Sequence, residues 1–309
     1  MTQHLRWHFR WTTLAGCRRN PLTKSVESIA LFWDERPRRY WLARDGAGPL
    51  QLPLVLMLHG TGGSGALAAD ETGLVDFARR AGFAVAFPEG LPVNPGAPAK
   101  FLSNPQRWND GGTRPGDKLH TDFDDVGFLE AVIHDAVART GADPRRVYLT
   151  GFSNGAGMAF RFAAERTELI RAVAPVAGHC WLDAPKPSRP IPTLFLIGDR
   201  DPLIPKVEGM VNLPWFPQPL LRPGLDRTLQ KWAVGLGYKP TPQRIADAGG
   251  ILEAEYGPDF RAVTIPGLGH HWPGGRGLLN PRIGGNPSSV LDANARIWDF
   301  FEQTSRPCL

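Results

Sequence analysis

Gly151-Phe152-Ser153-Asn154-Gly155 is the stretch of this chain best suited to nucleophilic chemistry. It lies between Arg146-Val147-Tyr148-Leu149-Thr150, which reads as a buried strand, and Ala156 to Arg166, which reads as a helix. A strand that turns at once into a helix strains the residue at the corner, and glycines two positions to either side relieve the clash. The turn thrusts the Ser153 hydroxyl outward, and the helix N-terminus behind it favours developing negative charge.

A serine hydroxyl is a weak nucleophile at neutral pH, so it needs a base to take its proton and a carboxylate to hold that base in the useful tautomer. Behind a turn of this kind the acid and then the histidine follow in chain order, each on a loop after a strand. After the apolar run Thr193 to Ile197, the loop Gly198-Asp199-Arg200-Asp201-Pro202 offers two acids. After Val263-Thr264-Ile265, the loop that ends Gly269-His270-His271-Trp272-Pro273-Gly274 offers two histidines. His120, His134 and His179 fall outside that position and are expected to be structural or exposed. Charge that builds on a carbonyl oxygen needs two backbone N–H donors. Asn154 supplies one, and Thr61, in Leu58-His59-Gly60-Thr61-Gly62-Gly63 after an early buried strand, supplies the other. The rival reading of those glycines is a phosphate loop, which requires a Gly-Lys-Ser/Thr ending or G-x-G-x-x-G spacing, and neither is present. The set points to acyl transfer through an acyl-enzyme, with no cofactor and no metal implied. A peptidase or an acyltransferase would use the same three residues, whereas a non-catalytic binding protein of this fold would be expected to lack one.

These loops need a scaffold. From Leu54 onward, runs that are apolar at every position alternate with amphipathic segments at about 71–81, 124–139 and 155–167, which predicts strands buried on both faces and wrapped by helices. The expected fold class is α/β, a mostly parallel doubly wound sheet. Its antiparallel N-terminal edge is built from residues 28–33 and 39–43, joined by Glu35-Arg36-Pro37. Residues 251–255 and 261–265 read as further strands, and 289–302 as a last helix. The proline-rich stretches 88–123 and 205–223 are too long for simple connectors and are expected to wall the substrate cleft. Trp108, Trp215, Phe216 and Trp272 are the expected substrate contacts, since they could stack on an aromatic acyl group.

The chain has 309 residues and reads as one α/β domain, residues 25–309, behind a flexible basic leader, residues 1–24. That leader holds Arg6, Arg10, Arg18, Arg19 and Lys24 and no acid, so the net charge of +5 leaves the body neutral and provides no basic face for nucleic acid. Cys17, Cys180 and Cys308 are too scattered for a disulfide framework or a paired metal site. Leu14-Ala15-Gly16-Cys17 is like a lipoprotein cleavage site, but His4, Arg6, His8 and Arg10 stand where a signal peptide needs an apolar run. No apolar run is long enough for a transmembrane segment.

Taken together, the chain from about Ser28 to Phe301 resembles the secreted polyhydroxybutyrate depolymerase and feruloyl esterase family of α/β-hydrolases. The resemblance rests on Leu58-His59-Gly60, Trp108-Asn109-Asp110-Gly111, Asp124-Asp125-Val126-Gly127-Phe128, Thr150 to Gly155, Asp201 with Pro205, and Gly269 to Gly274. It implies that the histidine before x-Trp-Pro-Gly is the base, which selects His270 over His271. It implies likewise that the acid three residues after a glycine and four before a proline is the orienting group, which selects Asp201 over Asp199. The expected activity is that of a serine carboxylic ester hydrolase on feruloyl-type or hydroxyalkanoate esters and oligoesters, secreted or periplasmic. Ala156 and Gly112 depart from the family pattern outside the triad. With Leu309 following the last helix and no polymer-binding module, soluble esters or oligomers are expected in preference to crystalline polymer.

Overall fold

The computed structural model describes residues 26–44, 51–112 and 122–305; the expected leader, Cys17, Cys308 and His120 lie outside them. β1 (Val26–Trp33) and β2 (Arg36–Ala43) form a hairpin, followed by β3 (Leu54–Leu58), α1 (Gly65–Thr72), α2 (Leu74–Ala81) and β4 (Ala84–Pro88). A short ribbon of β5 (Leu91–Pro92) and β6 (Gln106–Arg107) sits in the long loop before α3 (Asp125–Thr140). Next come β7 (Val147–Phe152), α4 (Asn154–Glu165), β8 (Ala172–Val176) and β9 (Thr193–Gly198). A second ribbon, β10 (Gly209–Val211) and β11 (Leu220–Arg222), precedes α5 (Leu225–Gly235). The order closes with β12 (Arg244–Ala248), β13 (Ile251–Gly257), β14 (Phe260–Ile265), α6 (Pro281–Gly284) and α7 (Ala293–Ser305).

Ten strands form one sheet in the order β1-β2-β4-β3-β7-β8-β9-β14-β13-β12. The pairings from β4 across to β14 are parallel, and β1–β2 and β2–β4 are antiparallel. This is the α/β-hydrolase arrangement expected from sequence. Side-chain alternation builds a core on each face. In β3, Leu54, Leu56 and Leu58 point into a layer shared with α3, α4 and α5, while Val55 and Met57 point into a layer shared with α1, α2 and α7. A strand buried on both faces must be apolar throughout, which is why Leu-Val-Leu-Met-Leu carries no polar residue.

Several details differ from the expectation. The hairpin turns at Asp34 and Glu35, both with positive φ (50° and 55°), the geometry that matches strand twist in a two-residue turn. Arg36 and Pro37 therefore belong to β2. Pro37 is tolerated because β4 pairs only with Tyr40–Ala43. The expected helix at 71–81 is two helices, broken at Gly73 (φ 61°). α7 starts at Ala293 because the Asp292 carboxylate accepts the N–H groups of Asn294 and Ala295. The far edge of the sheet is antiparallel too, through β13 and β12. β12 and α5 are additions to the expected elements.

Candidate active site

β7 ends where α4 begins, and Ser153 is the residue at the corner, with φ 57° and ψ −116°. Its backbone N–H donates to Val176 O of β8 at 2.9 Å, which fixes the corner to the sheet. The flanking glycines are sterically obligatory. A Cβ on Gly151 would stand 2.4 Å from Gly155 O, and one on Gly155 would stand 2.4 Å from Leu58 O. α4 is buried along nearly its whole length, so its N-terminal N–H groups face the Ser153 corner from inside the fold.

The acid and the base arrive from the next two parallel strands. β9 leads into the Asp201 loop and β14 into the His270 loop, and the loops are laced together by Arg200 N–H to Leu268 O (3.0 Å) and by Gly267 N–H to the Asp199 carboxylate (2.7 Å). Asp201 Oδ2 lies 2.7 Å from His270 Nδ1, both side chains almost fully buried. Asp201 Oδ1 accepts the N–H groups of Leu203 (2.8 Å) and Ile204 (3.0 Å), which fixes the carboxylate in place and turns Oδ2 toward the imidazole. Nδ1 of His270 then carries the proton, and Nε2 is left as the basic nitrogen. The Phe152 ring packs against the imidazole, centroids 4.8 Å apart. His271 turns away, its Nε2 on Gly285 O, and Asp199 caps the neighbouring loop.

Ser153, Asn154, Thr61 and His270 line one cleft. The stretches expected to wall it do so: Arg107 and Asp110 come from the first, and Leu213, Trp215, Phe216 and Arg222 from the second. Trp215 Nε1 donates to Phe101 O at 2.7 Å and ties one wall to the other. Two of the expected substrate contacts are corrected. Trp108 is 1% exposed and lies beneath the site, its Nε1 donating to His59 O at 2.9 Å. Trp272, also 1% exposed, belongs to the core on the α7 side and donates to Asn294. Each ring hydrogen-bonds within the protein and presents no face to a ligand. Trp181, on the loop after β8, lines the cleft instead, and so does His179, whose Nδ1 meets Thr228 Oγ1 at 3.0 Å.

A set of buried polar residues supports the cleft from below. His59 Nε2 accepts Gly90 N–H at 2.9 Å while Nδ1 bonds Gly60 O at 2.8 Å, so the neutral ring pins the backbone directly before Thr61. Burial holds its pKa down at about 4. The Asn154 side chain spans Trp108 N (2.7 Å), Trp108 O (3.1 Å) and the Asp110 carboxylate (2.6 Å). Asp125, paired at 2.6 Å with the buried Arg38, accepts Asn109 N–H at 2.7 Å with its other oxygen. These supports were not assigned from sequence, although His59, Trp108 to Gly111 and Asp125 stood among the motifs noted there. Cys180 is a buried thiol whose pKa is pushed up to about 12 by desolvation, so it is no rival nucleophile. Among the described residues no cluster of His, Cys, Asp and Glu has metal-binding geometry, and no helix is long and apolar enough to cross a membrane.

The family model described as esterase PHB depolymerase matches residues 40–187. The putative esterase NocK of Nocardia uniformis subsp. tsuyamanensis is 32% identical over 293 residues, which covers 86% of this chain and 79% of that protein. Feruloyl esterase B of Piromyces equi is 27% identical over 233 residues, 70% of this chain but only 38% of the longer relative. Among solved structures, an acetyl xylan esterase from Aspergillus awamori superposes with a TM-score of 0.60 at 15% identity, covering 90% of this chain and 99% of that one, a likeness of fold.

Proposed function

The chain belongs to the esterase PHB depolymerase family of α/β-hydrolases and is a carboxylic ester hydrolase; from that premise we propose that it works through an acyl-enzyme on Ser153. His270 Nε2 takes the Ser153 proton as Oγ attacks the ester carbonyl, then returns it to the departing alkoxide. Asp201 keeps the His270 proton on Nδ1 and stabilises the imidazolium that forms. The backbone N–H groups of Thr61 and Asn154 receive the charge on the carbonyl oxygen; one such donor is typically worth about 3 to 4 kcal/mol. Water then enters by the same steps in reverse order, with His270 as base.

The observation that carries this reading is the buried 2.7 Å pairing of Asp201 with His270, the histidine that lines the same cleft as Ser153. An acid with both oxygens engaged, held on a histidine that lines the same cleft as a serine at a strand-to-helix corner, fits the orienting role in such a triad. The substrates are feruloyl-type or hydroxyalkanoate esters and oligoesters. Support comes from the feruloyl esterase relative and from the aromatic surface of Trp181, Trp215 and Phe216 along the cleft. Ser153→Ala is expected to abolish turnover of p-nitrophenyl butyrate and labelling by a fluorophosphonate while leaving the melting temperature within a few degrees. Retained turnover would overturn the assignment. Rates on methyl ferulate and on hydroxybutyrate oligomers at equal enzyme concentration decide between the two substrate classes.

A further inference from the structure

The two backbone donors assigned to the carbonyl oxygen lie far apart in the chain, yet one short segment grips both. Thr61 is bracketed by two hydrogen bonds: before it, His59 O accepts the Trp108 indole N–H at 2.9 Å, and after it, Gly62 N–H donates to Gln106 O at 2.8 Å. Asn154 is held by the same tryptophan. Its Oδ1 accepts Trp108 N–H at 2.7 Å and its Nδ2 donates to Trp108 O at 3.1 Å, so one side-chain amide closes on both backbone groups of one residue. Trp108, His59 and Asn154 are all buried, where such bonds are stronger than in water. The His59 ring lies 5.1 Å from the Trp108 ring between centroids and is itself held by Gly90 N–H, which keeps the indole in place. Gly60, between the two anchors, stands so near the nucleophile that a Cβ on it would lie 3.2 Å from Ser153 Cβ. A donor helps a developing charge only if it waits where the oxygen will arrive, and a misplacement of about 1 Å can cost on the order of a hundredfold in rate.

We propose that Trp108 is a positioning residue for the oxyanion site: its indole N–H sets the backbone before Thr61 while its own peptide groups set Asn154, so one buried residue fixes the separation of the two donors. The inference rests on the acyl-enzyme reading of Ser153. Trp108 touches no substrate. It acts through Thr61 and Asn154, so its effect falls on the charged intermediate and not on the binding of the neutral ester. Gln106 supplies the second anchor through its backbone, and its Nε2 donates to Gly90 O at 2.9 Å, which ties that anchor to the residue that also holds His59.

The test uses the full chain, p-nitrophenyl butyrate and two matched inhibitors, an alkyl trifluoromethyl ketone and the corresponding trifluoromethyl alcohol. Ser153 Oγ adds to the ketone carbon, its proton passes to His270 Nε2, and the carbonyl π pair moves onto oxygen, which leaves an anion where that of the ester would form. The alcohol fills the same space without charge. Trp108→Phe deletes the indole N–H and keeps an aromatic ring. It is expected to lower kcat/KM about tenfold to a hundredfold and ketone affinity by a similar factor, with the inhibition constant of the alcohol within about twofold of wild type. Trp232→Phe is the comparison, because it removes the same atoms and one buried bond, Nε1 to Thr193 Oγ1 at 3.0 Å, from the packing of α5 on the sheet. It is expected to lower the melting temperature by a similar amount and leave kcat/KM unchanged. Wild-type kcat/KM in Trp108→Phe overturns the proposal, and so does a fall in kcat/KM without loss of ketone affinity, or an equal fall in Trp232→Phe. If Trp108→Phe does not fold, Asn154→Ala decides, since it keeps the backbone donor and removes its grip on Trp108; undiminished ketone affinity there overturns the proposal. A wild-type enzyme inert on p-nitrophenyl butyrate and unlabelled by a fluorophosphonate would instead overturn the role of Ser153 itself.

Discussion

Among single residues, the acid and the supporting histidine make the sharpest demands. Asp201 accepts three hydrogen bonds in all, and the one to His270 Nδ1 sets the tautomer. Asp201→Asn keeps the shape but offers Nδ1 the wrong partner, so kcat on p-nitrophenyl butyrate should fall about a thousandfold to ten-thousandfold with little change in melting temperature. His59 carries a pH signature. Its pKa is lowered to about 4 in the fold from 6.5, so between those values the unfolded chain binds a proton that the folded chain refuses. The stability it contributes is present in full above about pH 6.5 and is lost as pH falls toward 4, about 3 kcal/mol over that window. Denaturant titrations of wild type and His59→Gln between pH 7 and pH 4 should show the wild type losing more. Ser153, the two acids after β9 and the two histidines after β14 were legible because chain order and strand–loop alternation mark them. His59 and Asp125 were not, since their roles depend on partners 31 and 87 residues away: Gly90 for His59 and Arg38 for Asp125.

At the level of elements, the turn from β7 to α4 is where geometry leaves least freedom. Gly155→Ala would drive a methyl against the Leu58 carbonyl, and the expected cost is about 3 kcal/mol or more together with loss of hydrolysis. Gly82, which closes α2 with φ 80° and open space around it, offers a comparison in which only the backbone conformation is strained. Gly82→Ala should cost about 1 to 2 kcal/mol and leave kcat unchanged; melting curves with rate measurements distinguish the two. The central strands were legible because burial on both faces writes an unbroken apolar run. β12 was not, since it lies at the sheet edge with most of its side chains in solvent and shows no alternation. α5 did carry a signal, with Leu225, Thr228, Leu229, Trp232 and Ala233 buried at helical spacing, obscured by the proline-rich stretch before it.

On one face of the sheet the buried pair of Arg38 and Asp125 links β2, the start of α3 and the loop holding Trp108 and Asp110. Arg38 also donates to Glu89 O and lies 3.8 Å from the Phe128 ring centroid, so removing its counter-charge strands it. Asp125→Asn is expected to cost about 3 to 5 kcal/mol, and Arg38→Met in the same chain to recover part of that, a double-mutant cycle readable from denaturant titrations. The ribbon of β10 and β11 stands apart from this arrangement. Leu203, Val211 and Leu213 pack with Trp215, Phe216 and Leu220 into an apolar cluster separate from the two sheet cores, and that cluster presents Trp215, Phe216 and Arg222 to the cleft. The residues proposed to act on the ester thus stand at the ends of sheet strands, while part of the cleft wall stands on a short ribbon with its own small core. Substitutions within residues 209–222 can therefore reshape that wall while the two cores of the sheet keep their packing.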